Sequence, residues 1–358
     1  MFSDGRDARQ WSAVGPVDYE SPRSLKRADR AHPQLQHRAA GVTTGLRGPI
    51  PNITMRRPIF SKETRMFKGS MVALVTPMTV DGDVDDRALA GLVEFHVEAG
   101  TRGLIIAGTT GESATLRRDE HVALIARAVE LADGRLPIIA GTGSNSTAQT
   151  LDLSRAVGSL DIAAYLLVTP YYNKPTQEGL FRHFTAVADA VEHSVVLYNV
   201  PGRTAVDLHP ETVGRLAEHP RITGLKEAMA ELDRVPKLRE LCGDGFGLYS
   251  GDDATSREFM LRGGDGVISV TANVVPDLMN QMCEAALAGD ADKAAEIDGR
   301  ITGLHDALFV EANPIPVKWA LQRMGLIDAG IRLPLTWLSE GGRDSVEGAL
   351  RDAGVMLS

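Results

Sequence analysis

From residue 70 onward, short apolar runs rich in β-branched residues alternate with longer segments in which apolar residues recur at helical spacing. The runs are apolar throughout rather than at every second position, which is typical of strands buried on both faces of a parallel sheet. The pattern therefore predicts eight strands, separated by helices. These strands are Val72–Thr76, Gly103–Ala107, Pro137–Gly141, Ala164–Val168, Val195–Tyr198, Ile222–Lys226, Gly247–Ser250 and Gly266–Ser269.

The segments between the strands predict amphipathic helices. In Asp86–Glu98 and Asp119–Leu131 the apolar residues recur at intervals of three and four positions, so that they line one face of a helix. Three such segments follow residues whose side chains can accept hydrogen bonds from the first backbone N–H groups of a helix. These residues are Asp85, Ser146 and Asp252.

This order of elements predicts a closed (β/α)8 barrel, the TIM-barrel fold, over residues 66–289. The alternative is an open, doubly wound sheet, which needs a glycine-rich turn after its first strand. The residues at that point, Val75–Met78, contain no glycine. After Asp290 the strand pattern ends, which predicts a small C-terminal helical domain over residues 290–358. Its three helices are Ala291–Phe309, Pro314–Met324 and Gly342–Ala353.

Residues 1–65 form a different kind of sequence. They contain twelve Lys and Arg against six Asp and Glu, six of the 18 prolines, and no sustained apolar periodicity. Such a segment buries too little apolar surface to offset the entropy of ordering, so we expect a disordered N-terminal extension. The alternatives are a targeting peptide, a basic arm for nucleic acid, and a passive tail ahead of a start at Met66.

The remaining chain is acidic. The net charge is −9 overall and the extension carries +6, so residues 66–358 carry −15. This charge argues against nucleic acid as the main partner of the folded part. No apolar run reaches the roughly 18 residues that a membrane span requires. Cys242 and Cys283 fit neither a zinc spacing nor a disulfide framework, which indicates a reducing, cytoplasmic compartment.

In a barrel of this kind the chemistry lies at the carboxyl ends of the strands. Lys226 stands out there because it follows the largely apolar residues Ile222–Leu225. Burial disfavours the ammonium form and lowers the pKa of a lysine, and the neutral amine can form a Schiff base with a keto acid. The alternative is a lysine at the barrel rim that is paired with a carboxylate.

Other polar residues at strand ends supply groups that such chemistry needs. Tyr171 and Tyr172 follow the fourth strand and Tyr198 ends the fifth. A phenol within hydrogen-bond reach can transfer protons, and Thr109 could relay them. The turn that begins at Thr109 offers backbone N–H groups to a carboxylate, and Arg203 could bind a second one. The alternatives are tyrosines that only pack, an ordinary glycine-rich loop and a surface arginine.

Four segments follow one another in an order and spacing that point to a single family. They are Gly108–Glu112, Thr169–Pro175, Tyr198–Thr204 and Gly224–Ala228. Together they resemble the dihydrodipicolinate synthase/N-acetylneuraminate lyase family of pyruvate-dependent class I aldolases, over the stretch from about Met66 to Leu357. The resemblance implies a lyase that needs neither a metal nor an organic cofactor, because the imine itself withdraws electrons.

The resemblance also implies which residues carry out the reaction. Lys226 would form the imine with pyruvate. Tyr198, Thr109 and Tyr172 would transfer protons, and Tyr172 would come from a neighbouring subunit of a homotetramer, a dimer of tight dimers. A barrel that has lost activity and serves as a ligand-binding or scaffold protein is disfavoured, because all four residues are present.

The substrate-binding residues follow from the same resemblance. Thr109 and Thr110 would bind the carboxylate of pyruvate, and the backbone of Gly251 and Ile268 would line the site. Arg203 would bind the carboxylate of L-aspartate 4-semialdehyde, the aldehyde that is attacked in the diaminopimelate route to lysine. The alternative is a related aldolase acting on a sugar-derived aldehyde or a 2-keto-3-deoxy acid, and Arg203 counts against it.

The family's lysine effector site, at a subunit interface, matches less completely. Arg118 stands where a histidine is usual, and Gln149 stands where a glutamate usually pairs with the amine of bound lysine. A neutral amide binds an ammonium more weakly than a carboxylate does, by ~1 kcal/mol. We therefore expect weak or absent inhibition by lysine. The residues that fit the effector pattern are Ser113, Ala114, His121, Asn145 and Tyr171.

Overall fold

The computed structural model describes residues 67–358, and the disordered extension predicted for residues 1–65 lies outside the described residues. In the described part, eight parallel strands close into a barrel in the order of the sequence, with β8 paired to β1. The barrel prediction is confirmed, and the open sheet is wrong. The strands are β1 Gly69–Ala73, β2 Leu104–Ile106, β3 Ile138–Gly141, β4 Ala164–Val168, β5 Ser194–Asn199, β6 Ile222–Glu227, β7 Gly247–Ser250 and β8 Gly266–Ser269.

Helices lie between the strands and continue after the barrel. The first helix matches its predicted bounds, and the second differs by one residue at each end. Among residues 67–358 the α-helices are α1 Asp86–Glu98, α2 Arg118–Ala132, α3 Thr147–Val157, α4 Gln177–Ala190, α5 Pro201–Thr204, α6 Pro210–Ala217, α7 Arg234–Cys242, α8 Ser256–Leu261, α9 Pro276–Leu287, α10 Ala291–Ala307, α11 Ile315–Arg323 and α12 Glu340–Asp352.

Alternation along the strands creates two apolar cores. Val72 and Leu104 face outward and pack with the helices in the larger core. Met71 and Ile105, their immediate neighbours, face the interior of the barrel and pack in the smaller core. All four side chains are fully buried. Both faces of each strand are therefore withdrawn from water, which explains why the strands are continuous apolar runs.

The first strand lies three residues earlier than predicted. Leu74 and Val75 are buried like strand residues, at 1% exposure each. The backbone N–H of Val75, however, donates to the side-chain Oδ1 of Asn273 (3.1 Å), which lies 198 residues further along the chain. At Val75 the acceptor is thus the Asn273 side chain and no longer the backbone of a neighbouring strand, and strand pairing stops. A pattern of apolar residues does not record this change of acceptor.

Two of the three predicted helix caps are confirmed. Asp85 and Ser146 accept hydrogen bonds from the backbone N–H three residues further on, at 3.0 and 3.4 Å. The prediction for Asp252 is wrong, because α8 begins only at Ser256. Asp252 instead accepts from the backbone N–H of Thr255 (3.0 Å) and closes the turn that precedes the helix. An aspartate accepts the same hydrogen bond from the third residue after it at a helix N-cap and in a turn, so the sequence could not distinguish a cap from a turn.

Three helices, α10 to α12, follow the barrel as the sequence predicts. Ile301, Val317 and Leu350 of these helices belong to the same continuous core as the outer face of the barrel. The domain boundary at residue 290 stays a prediction. Within residues 67–358 no helix combines the length and the apolar character that crossing a membrane requires.

Candidate active site

Lys226 lies near the carboxyl end of β6, with its side chain in the barrel interior and only 5% of the residue exposed. It is in register with Tyr198 of β5, and its Nζ lies 4.4 Å from the centroid of the Tyr198 ring. The adjacent carboxylate, Glu227, is bound to Arg234 at 3.1 Å, and among residues 67–358 no carboxylate is paired with Lys226. This geometry disfavours the alternative of a paired lysine at the rim.

Gly251 leaves the space that the Lys226 side chain occupies. A Cβ atom built on Gly251 would lie 2.9 Å from Cε of Lys226 and 2.8 Å from Cβ of Ala228. Such approaches are too close for carbon atoms, so a larger residue here would displace the lysine. Ile268 of β8 is 1% exposed and belongs to the same interior core as Tyr198. Gly251 therefore lies against the lysine, and Ile268 lies in the barrel interior; that their backbone lines the substrate site stays a prediction.

The turn after β2 is tightly packed. The hydroxyl of Thr76 donates to the carbonyl of Gly111 (2.7 Å), and a Cβ on Gly111 would lie 3.1 Å from the backbone of Ala107. Thr110 is 2% exposed, whereas Thr109 is half-buried and lines a cavity. The turn thus has a fixed shape and presents Thr109 to an open space.

Glu112 fixes the end of this turn to the C-terminal helices. Its backbone has a φ of 56°, which is unusual for a residue other than glycine. Its carboxylate pairs with Lys318 of α11, and both side chains are fully buried. The second carboxylate oxygen accepts from the backbone N–H of Arg332 (3.2 Å). Desolvation lowers the pKa of Lys318, and the carboxylate of Glu112 opposes this shift.

Arg203 lies in the single helical turn α5, which follows β5 directly. Its Nη2 donates to the backbone carbonyl of Asn313 (3.0 Å) in the segment before α11. The residue is otherwise exposed, and it lines the same cavity as Thr109. This cavity has a volume of about 860 Å³, which is within the range of small-molecule binding sites.

A second buried network lies on the outer face of the sheet, directly behind Lys226 and Tyr198. Nδ2 of Asn199 donates to Glu227 (3.0 Å) and to Asp207 (2.8 Å), and Arg234 pairs with both carboxylates. Desolvation raises the pKa of Glu227 to about 7, although Arg234 and the hydrogen bonds oppose the shift. Asn199 and Glu227 are themselves in register. The network therefore links β5 to β6 next to the point where Tyr198 and Lys226 meet inside the barrel.

Tyr172 is not brought to the other candidate residues within the described chain. It is 88% exposed, and its neighbour Tyr171 is 38% exposed. Tyr171 lines the cavity, whereas Tyr172 does not. Lys226 and Tyr198 do not line this cavity either, and the described chain does not bring Tyr172 to them.

Seven residues stand at the positions of the effector pattern, and the two that depart from it are engaged with neighbouring side chains. Arg118 pairs with Asp152, and Oε1 of Gln149 accepts from the hydroxyl of Ser144 (2.8 Å). Six of the seven effector residues line the cavity, and Asn145 does not. The six are Ser113, Ala114, Arg118, His121, Gln149 and Tyr171.

Two further residues of the effector pattern, His121 and Asn145, form hydrogen bonds with neighbouring segments of the chain. Nε2 of His121 bonds the carbonyl of Gly141 (2.7 Å), and desolvation lowers the pKa of this buried imidazole. The backbone carbonyl of Asn145 accepts from the side-chain amide of Asn173 (2.8 Å), next to Tyr172. Among residues 67–358, no group of three or more His, Cys, Asp or Glu is arranged to hold a metal ion.

Comparison with known proteins identifies the family. Residues 66–353 match the model of the family described as "Dihydrodipicolinate synthetase family". The chain belongs to this family. The match begins where the predicted extension ends, and it takes in the barrel and nearly all of the C-terminal helical part.

Several bacterial members of the dihydrodipicolinate synthetase family are similar to this chain. The 4-hydroxy-tetrahydrodipicolinate synthase of Methylococcus capsulatus is 58% identical over 291 residues, which cover 81% of this chain and 100% of the relative. The enzyme of the same name from Thioalkalivibrio sulfidiphilus is 59% identical over 293 residues, covering 82% and 100%. A crystal structure of the chloride-inhibited dihydrodipicolinate synthase from Acinetobacter baumannii complexed with pyruvate has a TM-score of 0.80 at 52% identity, covering 81% and 100%.

The supporting roles of three residues of this family member are not predicted from its sequence. Asn313, Glu112 and Lys318 are buried polar residues that tie the turn after β2 to the C-terminal helices. A lysine among the apolar residues of α11 was the available signal, since a fully buried lysine needs a partner. The partner itself lies 206 residues away in sequence and could not be identified without the fold.

Proposed function

We propose that the protein is a 4-hydroxy-tetrahydrodipicolinate synthase, which condenses pyruvate with L-aspartate 4-semialdehyde. The observation that carries the proposal is Lys226, a buried lysine inside the barrel that lies against Tyr198 and has no carboxylate partner among residues 67–358. Relatives that are 58% and 59% identical bear this name. An aldolase acting on a sugar-derived aldehyde is not favoured by these relatives or by Arg203.

The proposed reaction begins with the Lys226 amine. The amine attacks the ketone carbon of pyruvate to give a carbinolamine, which loses water and becomes an imine. Loss of a proton from the methyl carbon gives an enamine, and this carbon bonds to the aldehyde carbon of the second substrate. The amino group of that substrate then attacks the imine carbon, which closes the ring and releases the Lys226 amine. Tyr198, Thr109 and Tyr172 transfer the protons in this scheme.

Two carboxylates have to be held apart for this reaction. We assign the carboxylate of pyruvate to the Thr109–Thr110 turn and the carboxylate of the semialdehyde to Arg203. Both regions belong to one end of the barrel, and Thr109 and Arg203 line one cavity. An arginine suits a carboxylate because its planar guanidinium forms two parallel hydrogen bonds. We assign the backbone of Gly251, which lies against the lysine, and that of Ile268 to the lining of the site.

The proposed assembly is a homotetramer in the cytoplasm, in which Tyr172 enters the site of a neighbouring subunit. The 88% exposure of Tyr172 supports this arrangement, since a large aromatic side chain is seldom left in water without a partner. Cys242 and Cys283 fit no disulfide framework, which supports a reducing compartment.

Borohydride trapping tests the proposal. The protein is incubated with pyruvate and sodium borohydride, and the adduct is mapped by mass spectrometry. We expect reduction of the imine to leave a stable adduct on Lys226, with none on the Lys226→Ala variant. Turnover with L-aspartate 4-semialdehyde is measured next. An unmodified Lys226 would contradict the Schiff base. Trapping without turnover of the semialdehyde would favour the alternative, an aldolase that acts on a sugar-derived aldehyde.

We further propose that lysine inhibits the enzyme weakly or not at all. Gln149 cannot supply a negative charge to an incoming amine. Arg118, which lines the same cavity, is paired with Asp152. A steady-state assay should show nearly full activity at sub-millimolar lysine. The variant Gln149→Glu restores the missing charge and should increase sensitivity to lysine. Strong inhibition of the unchanged protein would contradict this prediction.

A further inference from the structure

Asn313 lies between the two loops to which the substrate carboxylates are assigned. Its side-chain Nδ2 donates to Oγ1 of Thr110 at 2.9 Å, and its backbone carbonyl accepts from Nη2 of Arg203 at 3.0 Å. The residue is 6% exposed and lines the cavity. A single residue of the C-terminal helical part therefore contacts both proposed carboxylate sites.

The contact with Thr110 has a direction that matters for binding. A threonine hydroxyl carries one proton and can also accept hydrogen bonds. Since the Asn313 Nδ2 can only donate, the Thr110 oxygen accepts, and the hydroxyl proton is left for another acceptor. No acceptor within residues 67–358 takes this proton. A carboxylate bound in the turn would take it in a charge-assisted hydrogen bond.

The opposite orientation of the amide would block that hydrogen bond. With Oδ1 facing Thr110, the hydroxyl would donate to the amide, and a carbonyl oxygen would lie beside the incoming carboxylate. As it stands, Oδ1 of Asn313 is buried and has no partner in the described part of the chain. Among the described residues, the contact with Thr110 is thus the one hydrogen bond of this amide, and it has the direction that an anion in the turn favours.

We propose that Asn313 is a positioning residue for pyruvate, which directs the hydroxyl proton of Thr110 toward the substrate carboxylate. The proposal rests on the function proposed above. Asn313 acts through Thr110 and need not touch the substrate itself. Its effect should therefore appear in the affinity for pyruvate, while the backbone contact to Arg203 is retained in side-chain variants.

The test is a double-mutant cycle of Asn313→Leu and Thr110→Val, with both substitutions close in shape to the original residues. The readout is the pyruvate concentration that gives half-maximal borohydride trapping, which does not require the aldehyde. We expect each single variant to raise it about tenfold. The double variant should be no worse than the worse single variant, because both remove the same hydrogen bond.

Two further measurements separate positioning from folding. Asn313→Asp keeps the shape but replaces the donor by an anionic acceptor, and it should raise the half-saturating concentration more than Asn313→Leu does. The KM for L-aspartate 4-semialdehyde in Asn313→Leu should change by less than threefold. Additive effects in the cycle, or equal losses for both substrates, would overturn the positioning role. Absence of trapping in the unchanged protein would instead overturn the proposed function.

Discussion

The side chain of Lys226 is confined by what surrounds it. The ring of Tyr198 lies 4.4 Å from Nζ, and Gly251 leaves room for the methylene groups but for little else. Lys226 could be singled out from the sequence because a charged residue in an apolar strand is rare. Gly251 could be placed beside it only through the resemblance, since the contact joins two different strands. Asn313 was not predicted, because its contact with Thr110 spans 203 residues.

Replacement of Gly251 by alanine should move the lysine. The added Cβ would meet Cε of Lys226 at 2.9 Å, so the amine must shift by a sizeable fraction of an ångström. A misplacement of this kind can reduce the rate about 100-fold, and we expect a loss of that order in kcat. Gly245→Ala is the matched control, because a Cβ there meets no atom within 4 Å among the described residues. Equal kcat values for the two variants would contradict the prediction.

The strands β5 and β6 are joined by buried side-chain hydrogen bonds and ion pairs in addition to their backbone hydrogen bonds. Asn199 bonds Glu227, and Arg234 at the start of α7 ties that carboxylate to Asp207. The eight strands, and the five helices for which bounds were predicted, agree with apolar spacing to within a few residues. The exceptions, the end of β1 and the turn at Asp252, depend on side-chain hydrogen bonds that spacing does not record.

Glu227 should make stability depend on pH. Burial raises the pKa of Glu227 from 4.5 to about 7, so the folded protein holds this proton more tightly than the unfolded chain does. The stability that protonation contributes is fully present below pH 4.5 and is lost as pH rises to about 7. Relative to Glu227→Gln, the free energy of unfolding of the unchanged protein should fall across this range. The slope should not exceed ~1.4 kcal/mol per pH unit.

Denaturant unfolding at a series of pH values, at one protein concentration, measures this difference. Glu231→Gln removes an exposed carboxylate of the neighbouring loop and serves as the control. It should leave the pH profile of the unchanged protein intact. A Glu227→Gln profile that runs parallel to the unchanged protein between pH 4.5 and 7 would contradict the assignment.

At the scale of the whole molecule, one chain does not assemble all the residues that the resemblance assigns to the reaction. Lys226 and Tyr198 are buried together, whereas Tyr172 is almost fully exposed. The apolar pattern of a sequence predicts which residues leave water on folding, but it does not separate burial within a chain from burial between chains. The fold was therefore predictable, whereas the assignment of Tyr172 to a neighbouring subunit rests on the resemblance alone.

Mixing two inactive variants tests whether Tyr172 acts in a neighbouring subunit. Lys226→Ala and Tyr172→Phe should each have little activity alone. After unfolding, mixing and refolding in equal amounts, a site with Lys226 can receive Tyr172 from its neighbour. Activity should then recover to about a quarter of the unchanged enzyme for random pairing. Mixing Lys226→Ala with Tyr198→Phe should give no such recovery, because both residues belong to one site. Equal results for the two mixtures would contradict the arrangement.

The buried pair of Glu112 and Lys318 has a consequence for how the chain is made. All the residues assigned to the reaction have left the ribosome before α11 is synthesised, yet until then Glu112 lacks its lysine and Thr110 lacks its amide donor. An unpaired carboxylate at this depth is strongly destabilising. The loop that receives the keto acid can therefore take its final shape only in the last part of translation. A shortened barrel, cut to the catalytic residues for use as an engineering scaffold, would lack the same support.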